Sequence, residues 1–423
     1  IADDVEKMFQ AKLANAADKL KLCRDELKDP TRKTFFRQMA AMNYLAEKLG
    51  PDAIDDLLPY IGHDYWRLRQ HARKLAVKLA RAGGVERLIE RLTSADAKTS
   101  AGILSVLADS DAKTALKSVR QALEHKSPIV RQAAVKALGA LGGDKVTGEI
   151  FAFMLQATAT EDLHGAEEAL LAGKSDAKYA QRLGAMTLGA LAESKQPARK
   201  SLYWILSQLG GAECIKALQT AAATEDEGEL AQIAYALSMS PDPRATQVML
   251  DLIKENKDLP RGKIIARHGV RRMVIGADDI GNLPNKQRLD YAEPLLRMMT
   301  DRATITYIGR IRSGRCAQIL QRTMRKGGAT STAAASIINA TSDLEKATPA
   351  DRKLAIAALV DTIEYIEVTH LRDVTDMTNI EKVKGYAGWK ELSARAGKNL
   401  LKLDKLDKDP LPDFADPDLD LDL

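Results

Sequence analysis

The sequence predicts an all-α fold, a right-handed α-solenoid of stacked antiparallel helix pairs. Three observations carry that prediction. The stretch Val130 to Gly143 places apolar or small residues at Val130, Ala133, Ala134, Ala137, Leu138 and Leu141 and closes on two glycines. Such offsets mark one face of a helix with about 3.6 residues per turn, and the glycine pair is a stop. The same offsets recur at Ala198, Ser201, Leu202, Ile205, Leu206 and Leu209 before Gly210-Gly211, and at Leu68, His71, Ala72, Leu75, Ala76 and Leu79 before Gly83-Gly84. Finally, 45% of the residues are hydrophobic but only 4% aromatic, so the apolar content is mostly Ala and Leu. Small aliphatics at helical spacing suit closely packed helices, whereas strands favour β-branched and aromatic residues.

The elements follow in order. Residues 1–50 read as N-terminal capping helices: a helix-like mix up to Asp29-Pro30, then Phe35 to Leu49, stopped by Gly50. A terminal unit must show water a face that internal units bury. Residues 51–256 read as regular repeats. Pro51 opens a helix, where its missing N–H has no partner to lose. Asp64 is placed to cap the helix through Leu79, Ser127-Pro128 opens the helix through Leu141, and Asp242-Pro243 and Thr348-Pro349 repeat the device. Asp351 adds a carboxylate to the first turn of its helix. Stops fall at Gly83-Gly84, Gly142-Gly143, Gly173, Gly210-Gly211 and Ser240-Pro241. The interval from Gly83 to Gly142 has room for two units, with a hidden boundary near Asp109 to Asp111. Residues 257–342 read as irregular basic repeats, broken by Gly262, Gly269, Gly276 and Gly281, with the regular offsets returning at Thr330, Ala333, Ala334, Ile337, Ile338 and Thr341. Residues 343–403 read as C-terminal capping helices, one from Pro349 to Glu367 and one from Tyr386 to Leu401. Residues 404–423 read as an acidic, extended tail, because Pro410, Pro412 and Pro417 forbid a helix there.

A two-helix unit of this length cannot bury its apolar stripe alone, and stacking on its neighbours does so. Asp or Ser, three or four residues, Val or Leu followed by Arg, and then Ala/Leu-rich turns resembles the second helix of a HEAT repeat, an armadillo-type fold. Asp64 to Leu79 and Ser127 to Leu141 are the clearest copies, and the short period is similar to the bacterial HEAT-like type found in phycobilin lyases. The spaced Trp, Gly, Tyr and Pro signature of tetratricopeptide repeats is absent. The resemblance implies a HEAT-like superhelix whose second helices line the concave face. It also admits enzymes, since bilin lyases and DNA glycosylases use HEAT-like folds, but no site motif of either can be placed on this chain.

The formal net charge of +5 hides a segregation. From Arg261 to Lys326 there are 15 Lys/Arg against 5 Asp/Glu, and from Asp404 to Leu423 there are 8 Asp against 2 Lys. The repeat grammar fails at both places, and specific function tends to sit at such departures. Arg261, Lys263, Arg267, Arg271 and Arg272, followed one repeat later by Arg310, Arg312 and Arg315, form a candidate surface for a partner or an anion. Arg69, Arg131 and Arg199, each following the first apolar position of its helix, are secondary surface candidates and read first as a structural ladder. Phe414, Leu419, Asp420, Leu421, Asp422 and Leu423 form a candidate docking tail, because alternation would set the leucines on one side of an extended segment.

Catalytic and metal-site chemistry finds little support in these residues. The six histidines include no pair three or four apart, so no HExxH-type site forms locally. His71 takes an inward offset and reads as a hydrogen-bonded core histidine. Cys23, Cys214 and Cys316 form no CxxC pair and read as small buried hydrophobes. Asp278-Asp279 offer too few oxygens for a cation. Phosphate-loop, nucleophile-elbow and dinucleotide fingerprints are absent. No run approaches the roughly 18 apolar residues that a membrane span needs. The chain opens Ile-Ala-Asp-Asp rather than with Met, which is expected of a processed, exported or imported protein or of a fragment. The reading is therefore a non-enzymatic scaffold or assembly subunit without cofactor, binding one or more proteins. The alternatives are a binder of an anionic polymer through residues 261–326 and a HEAT-like lyase or glycosylase. Sparse aromatics around the basic stretch weigh against nucleic acid.

Overall fold

The computed structural model describes residues 9, 11–14, 18–28, 35–256, 259–269, 289, 292, 294–296, 299, 301–326, 330–371 and 380–406. All of its regular structure is helical, and its contacts divide the chain into two compact units, Ile1–Leu209 and Gly210–Leu423.

In the first unit, helices alternate as pairs: α1 (Lys19–Leu27) with α2 (Phe35–Leu49), α3 (Ile54–Ile61) with α4 (Trp66–Leu79), and α5 (Val85–Leu92) with α6 (Ala97–Asp109). They continue as α7 (Leu116–Ala122) with α8 (Pro128–Gly142), α9 (Thr147–Gln156) with α10 (Thr160–Leu171), and α11 (Ala177–Leu191) with α12 (Ala198–Leu209). The second helices stack directly on one another, α2 on α4, α4 on α6, α6 on α8, α8 on α10 and α10 on α12. The inward offsets are the buried ones: Leu68, Ala72 and Ala76, then Val130, Ala134, Ala137 and Leu138, then Ser201, Leu202, Ile205 and Leu206. Val135 is also fully buried, outside the predicted stripe, because α8 is covered on two sides by α6 and α10. His71 is half-buried with its Nε2 2.9 Å from Asn43 Oδ1, a hydrogen-bonded histidine at an inward position.

The boundaries explain the uneven glycine count. Gly83 and Gly143 turn the chain at φ 108° and 54°, a region an L side chain rarely adopts. The hidden boundary lies where expected, after Asp109, and is turned by Asp111 at φ 56°. Asp tolerates that conformation better than most residues, so this repeat has no glycine to announce it.

Two of the expected caps are corrected. The N-cap of α4 is Tyr65, whose side chain makes no cap bond, and Asp64 instead accepts from Lys98 Nζ at 2.6 Å. Ser127 does precede Pro128 at the start of α8, yet its hydroxyl makes no cap bond. In both repeats an imidazole and a guanidinium organise the turn. His63 Nδ1 accepts from the Tyr65 N–H and His125 Nδ1 from the Ser127 N–H, each at 3.0 Å. Arg69 donates to the carbonyls of His63 and Asp64, and Arg131 to those of His125 and Lys126.

In the second unit, α13 (Ala212–Ala221), α14 (Glu227–Met239) and α15 (Arg244–Glu255) pack together. Asp242 departs from a simple cap: its carboxylate accepts from the N–H groups of Arg244 at 2.8 Å and Gly211 at 2.6 Å, tying the start of α15 to that of α13. Further on lie α16 (Arg302–Ile308), α17 (Gly314–Arg325), α18 (Thr330–Ala340), α19 (Pro349–Ile366) and α20 (Ile380–Asp404). Ala333, Ala334, Ile337, Ile338 and Thr341 are buried, as their offsets predict. Thr348 caps α19 by accepting from the Asp351 N–H at 3.2 Å. The closing helix α20 is longer than Tyr386 to Leu401. Its Ala396 is buried and Asn399 donates to the Ile338 carbonyl at 2.8 Å.

Burial keeps all three cysteines neutral. The Cys23 thiol is pushed up to about 11, and the Cys214 and Cys316 thiols are raised for the same reason. No described helix is long and apolar enough to cross a membrane. Among the described residues no group of His, Cys, Asp or Glu side chains could hold a metal ion.

Candidate interaction surface

The basic stretch falls into two groups. Residues 262–269 are helical, with Lys263 and Arg267 exposed four residues apart, hence on one face. Arg261 turns inward, donating from Nη2 to the Ala222 carbonyl at 2.6 Å. Arg271 and Arg272 lie outside the described residues. Arg310, Arg312 and Arg315 occupy the turn from α16 into α17 and the first residues of α17. Arg310 sits over the Tyr307 ring, 5.2 Å from its centroid. Arg312 Nη1 donates to the Asn339 carbonyl at 2.5 Å, and the Arg315 backbone N–H donates to Asp351 at 3.1 Å. The tail residues Phe414, Leu419, Asp420, Leu421, Asp422 and Leu423 also lie outside the described residues.

The three repeated arginines take different roles. Arg131 forms a half-buried pair with Asp162 of the next repeat, its Nε and Nη2 donating at 2.8–3.2 Å. Arg199 donates to the Tyr203 hydroxyl at 2.9 Å. Arg69 spends its bonds on backbone carbonyls and lines a groove.

That groove, of about 760 Å³, is lined by Trp66, Arg69, Gln70, Arg73, Lys74, Val77, Lys78, Arg81 and Asp109. All except Asp109 lie on or just past α4, on the side away from its buried stripe. Trp66 is 54% exposed, with Arg67 stacked 5.3 Å from its ring centroid. Arg73 Nε donates to the Ile61 carbonyl at 2.9 Å and Arg81 Nη2 to the Asp109 carbonyl at 2.6 Å. Burial, and then the neighbouring Arg69, push the Arg73 guanidinium below its ordinary range. The signal for this groove was present in the sequence: residues 66–81 hold six Lys/Arg and no acid.

Comparison with known proteins supports the repeat assignment. Residues 85–171, spanning α5 to α10, match a family model described as HEAT repeats. Over those residues the chain is similar to HEAT repeats. No curated protein matches the chain. Solved structures similar to it include human deoxyhypusine hydroxylase in complex with glycerol, at 16% identity and a TM-score of 0.25, covering 60% of this chain and 98% of that one. Importin beta is similar at 11% identity and a TM-score of 0.35, over 91% of this chain and 56% of importin beta. A homology model of the full-length AP-3 complex gives 12% identity and a TM-score of 0.35, over 92% of this chain and 87% of the matched chain. Likenesses this distant carry no argument about activity. What bears on function is the division of labour within the HEAT helices, where one stripe is consumed in stacking and the opposite face stays open.

Proposed function

We propose that this chain is a non-catalytic scaffold or assembly subunit, holding protein partners on the open faces of its HEAT helices. The observation that supports it is the α4 groove: an exposed Trp66 and a row of cations lie on a face that packing does not use. Exposed tryptophan and arginine are the residue types enriched where protein interfaces concentrate their binding energy. On this reading the tail at 414–423 is a second docking element, available to a groove on a partner.

The test is isolation of the full chain from its native source, with cross-linking of its lysines before lysis and identification of the linked partners. Stoichiometric proteins linked to lysines on the outward helix faces, such as Lys74 and Lys78, are expected. A chain recovered without a linked protein would overturn the reading.

A second reading rests on Lys263 and Arg267, which share one exposed face. Through them and Arg310, Arg312 and Arg315 the second unit would bind an anionic polymer. Charge reversal at Lys263 and Arg267 should then weaken binding to heparin, and that binding should fall steeply with salt.

A further inference from the structure

Ion pairs join several successive repeats of the first unit. Arg24 meets Asp56, Arg87 and Arg91 meet Asp55, Arg120 meets Glu149, Arg131 meets Asp162, and Lys136 meets Glu168. The α4 groove breaks this pattern. Among the described residues, none of Arg69, Arg73, Lys74, Lys78 and Arg81 has a carboxylate within ion-pair distance. The three arginines bond carbonyl oxygens rather than carboxylates, and Asp109 is the one acid in the lining.

The repeat two units further on shows what is missing. Arg131 and Lys136 are the fourth and ninth residues of α8, and they pair with Asp162 and Glu168, the third and ninth residues of α10. Arg69 and Lys74 are the fourth and ninth residues of α4, and the third and ninth residues of the next second helix, α6, are Thr99 and Ser105. Helix α6 has no carboxylate before its last residue, Asp109. At this step α6 places no carboxylate opposite Arg69 and Lys74, although its Lys98 meets Asp64 just ahead of α4, and the cations face an open groove.

We propose that the α4 groove docks an extended acidic segment of a protein partner, with carboxylates alternating with aliphatic side chains. The cations between Arg69 and Arg81 span about 18 Å along the helix, since each residue rises about 1.5 Å. In an extended peptide, alternate side chains are about 6.7 Å apart, close to the roughly 6 Å rise between helix positions four apart. Carboxylates of such a peptide would meet successive cations, completing from outside the ladder that α6 leaves open. The peptide's aliphatic side chains would lie on Val77, the stems of Lys74 and Lys78, and Trp66. A nucleic acid is disfavoured because Trp66 is the one aromatic in the lining, and sequence-tolerant binding of single strands uses successive stacking platforms.

This inference rests on the scaffold reading and specifies its partner's chemistry. The test uses the full chain and a fluorescent peptide of alternating Asp and Leu, followed by anisotropy at low salt. Lys74 and Lys78 are exposed, so K74E with K78E should leave the fold intact by circular dichroism and weaken binding by about tenfold or more. Ser105→Glu, which offers Lys74 an internal partner, should weaken it without touching the lining, while K263E with R267E should leave it unchanged. Peptide binding that survives K74E with K78E would overturn the proposal. So would tighter binding of a thymine oligonucleotide that the same variant abolishes, since the groove would then serve nucleic acid. Co-isolation of partners without cross-linking, from cells carrying K74E with K78E, separates the two levels, because that variant lacks the very lysines a cross-linker would use. Loss of the acidic partner alone supports the groove, and partners retained despite unaltered peptide binding sink the groove while leaving the scaffold. A wild-type chain with no linked protein sinks the scaffold.

Discussion

At the scale of single residues, the ladder does two kinds of work according to burial. Arg131 and Asp162 are 20% and 6% exposed at the side chain and share several charge-assisted bonds. Asp162→Ala leaves the guanidinium its carbonyl partners alone, and should cost about 2 kcal/mol in urea unfolding, the range for a lost bond to a charged group. A cost near zero would mean that Arg131 relaxes to water. Glu167 behaves oppositely. Burial pushes its carboxyl above the ordinary range, outweighing the hydrogen bond from Ser201 and the nearby His164. The folded chain thus holds this proton more tightly than the unfolded chain. The group's contribution is fully present below its unfolded value and is lost as pH rises through the folded one. Stability of the native chain relative to Glu167→Gln should therefore fall as pH rises from the ordinary carboxylate range, about pH 4, through the raised folded value. A flat difference would show that the charged form is solvated at no cost.

At the scale of elements, the inward stripe of each second helix was legible because helix geometry alone dictates which offsets face the stack. Val130, Ala134, Leu138 and their counterparts in α4 and α12 needed no neighbour to be identified. Caps were less legible. Asp64 and Ser127 have the chemistry of N-caps, but Lys98 draws the first away and His125 supplies a local alternative beside the second. Spacing within one helix cannot reveal a competitor from another repeat. The glycine stops make the sharpest test. At Gly143, φ 54° and ψ −143° suit glycine alone, yet an added Cβ would meet nothing within 4 Å. Gly143→Ala should cost about 1–3 kcal/mol through backbone strain without a clash. Thermal unfolding would measure it, and an unchanged midpoint would mean that the turn rearranges.

At the scale of the whole molecule, charge and stability are largely separate. Most of the inter-repeat pairs are exposed and worth little, so the fold depends on stacked apolar stripes. Raising salt to about 0.5 M shrinks the screening length to a few ångströms. The urea midpoint should hardly move, while binding of an acidic peptide to the α4 groove should collapse. A midpoint that drops in parallel would show that the ladder carries the fold. The sequence localised charge by counting along the chain, which favoured the long run at 261–326. It undervalued the shorter run at 66–81, whose stacking partner α6 carries no carboxylate before Asp109 and so leaves the charge exposed.

Periodicity belongs to the helix itself, so the sequence alone determined the all-α class, the repeating stripe and the positions of most stops. Pairing belongs to contacts between residues some thirty positions apart, so only the tertiary structure decided which cations are answered. Arg131 and Arg69 look alike in sequence, at the fourth position of similar helices. One is neutralised by Asp162 and the other opens onto a groove, because α10 carries the acids that α6 lacks.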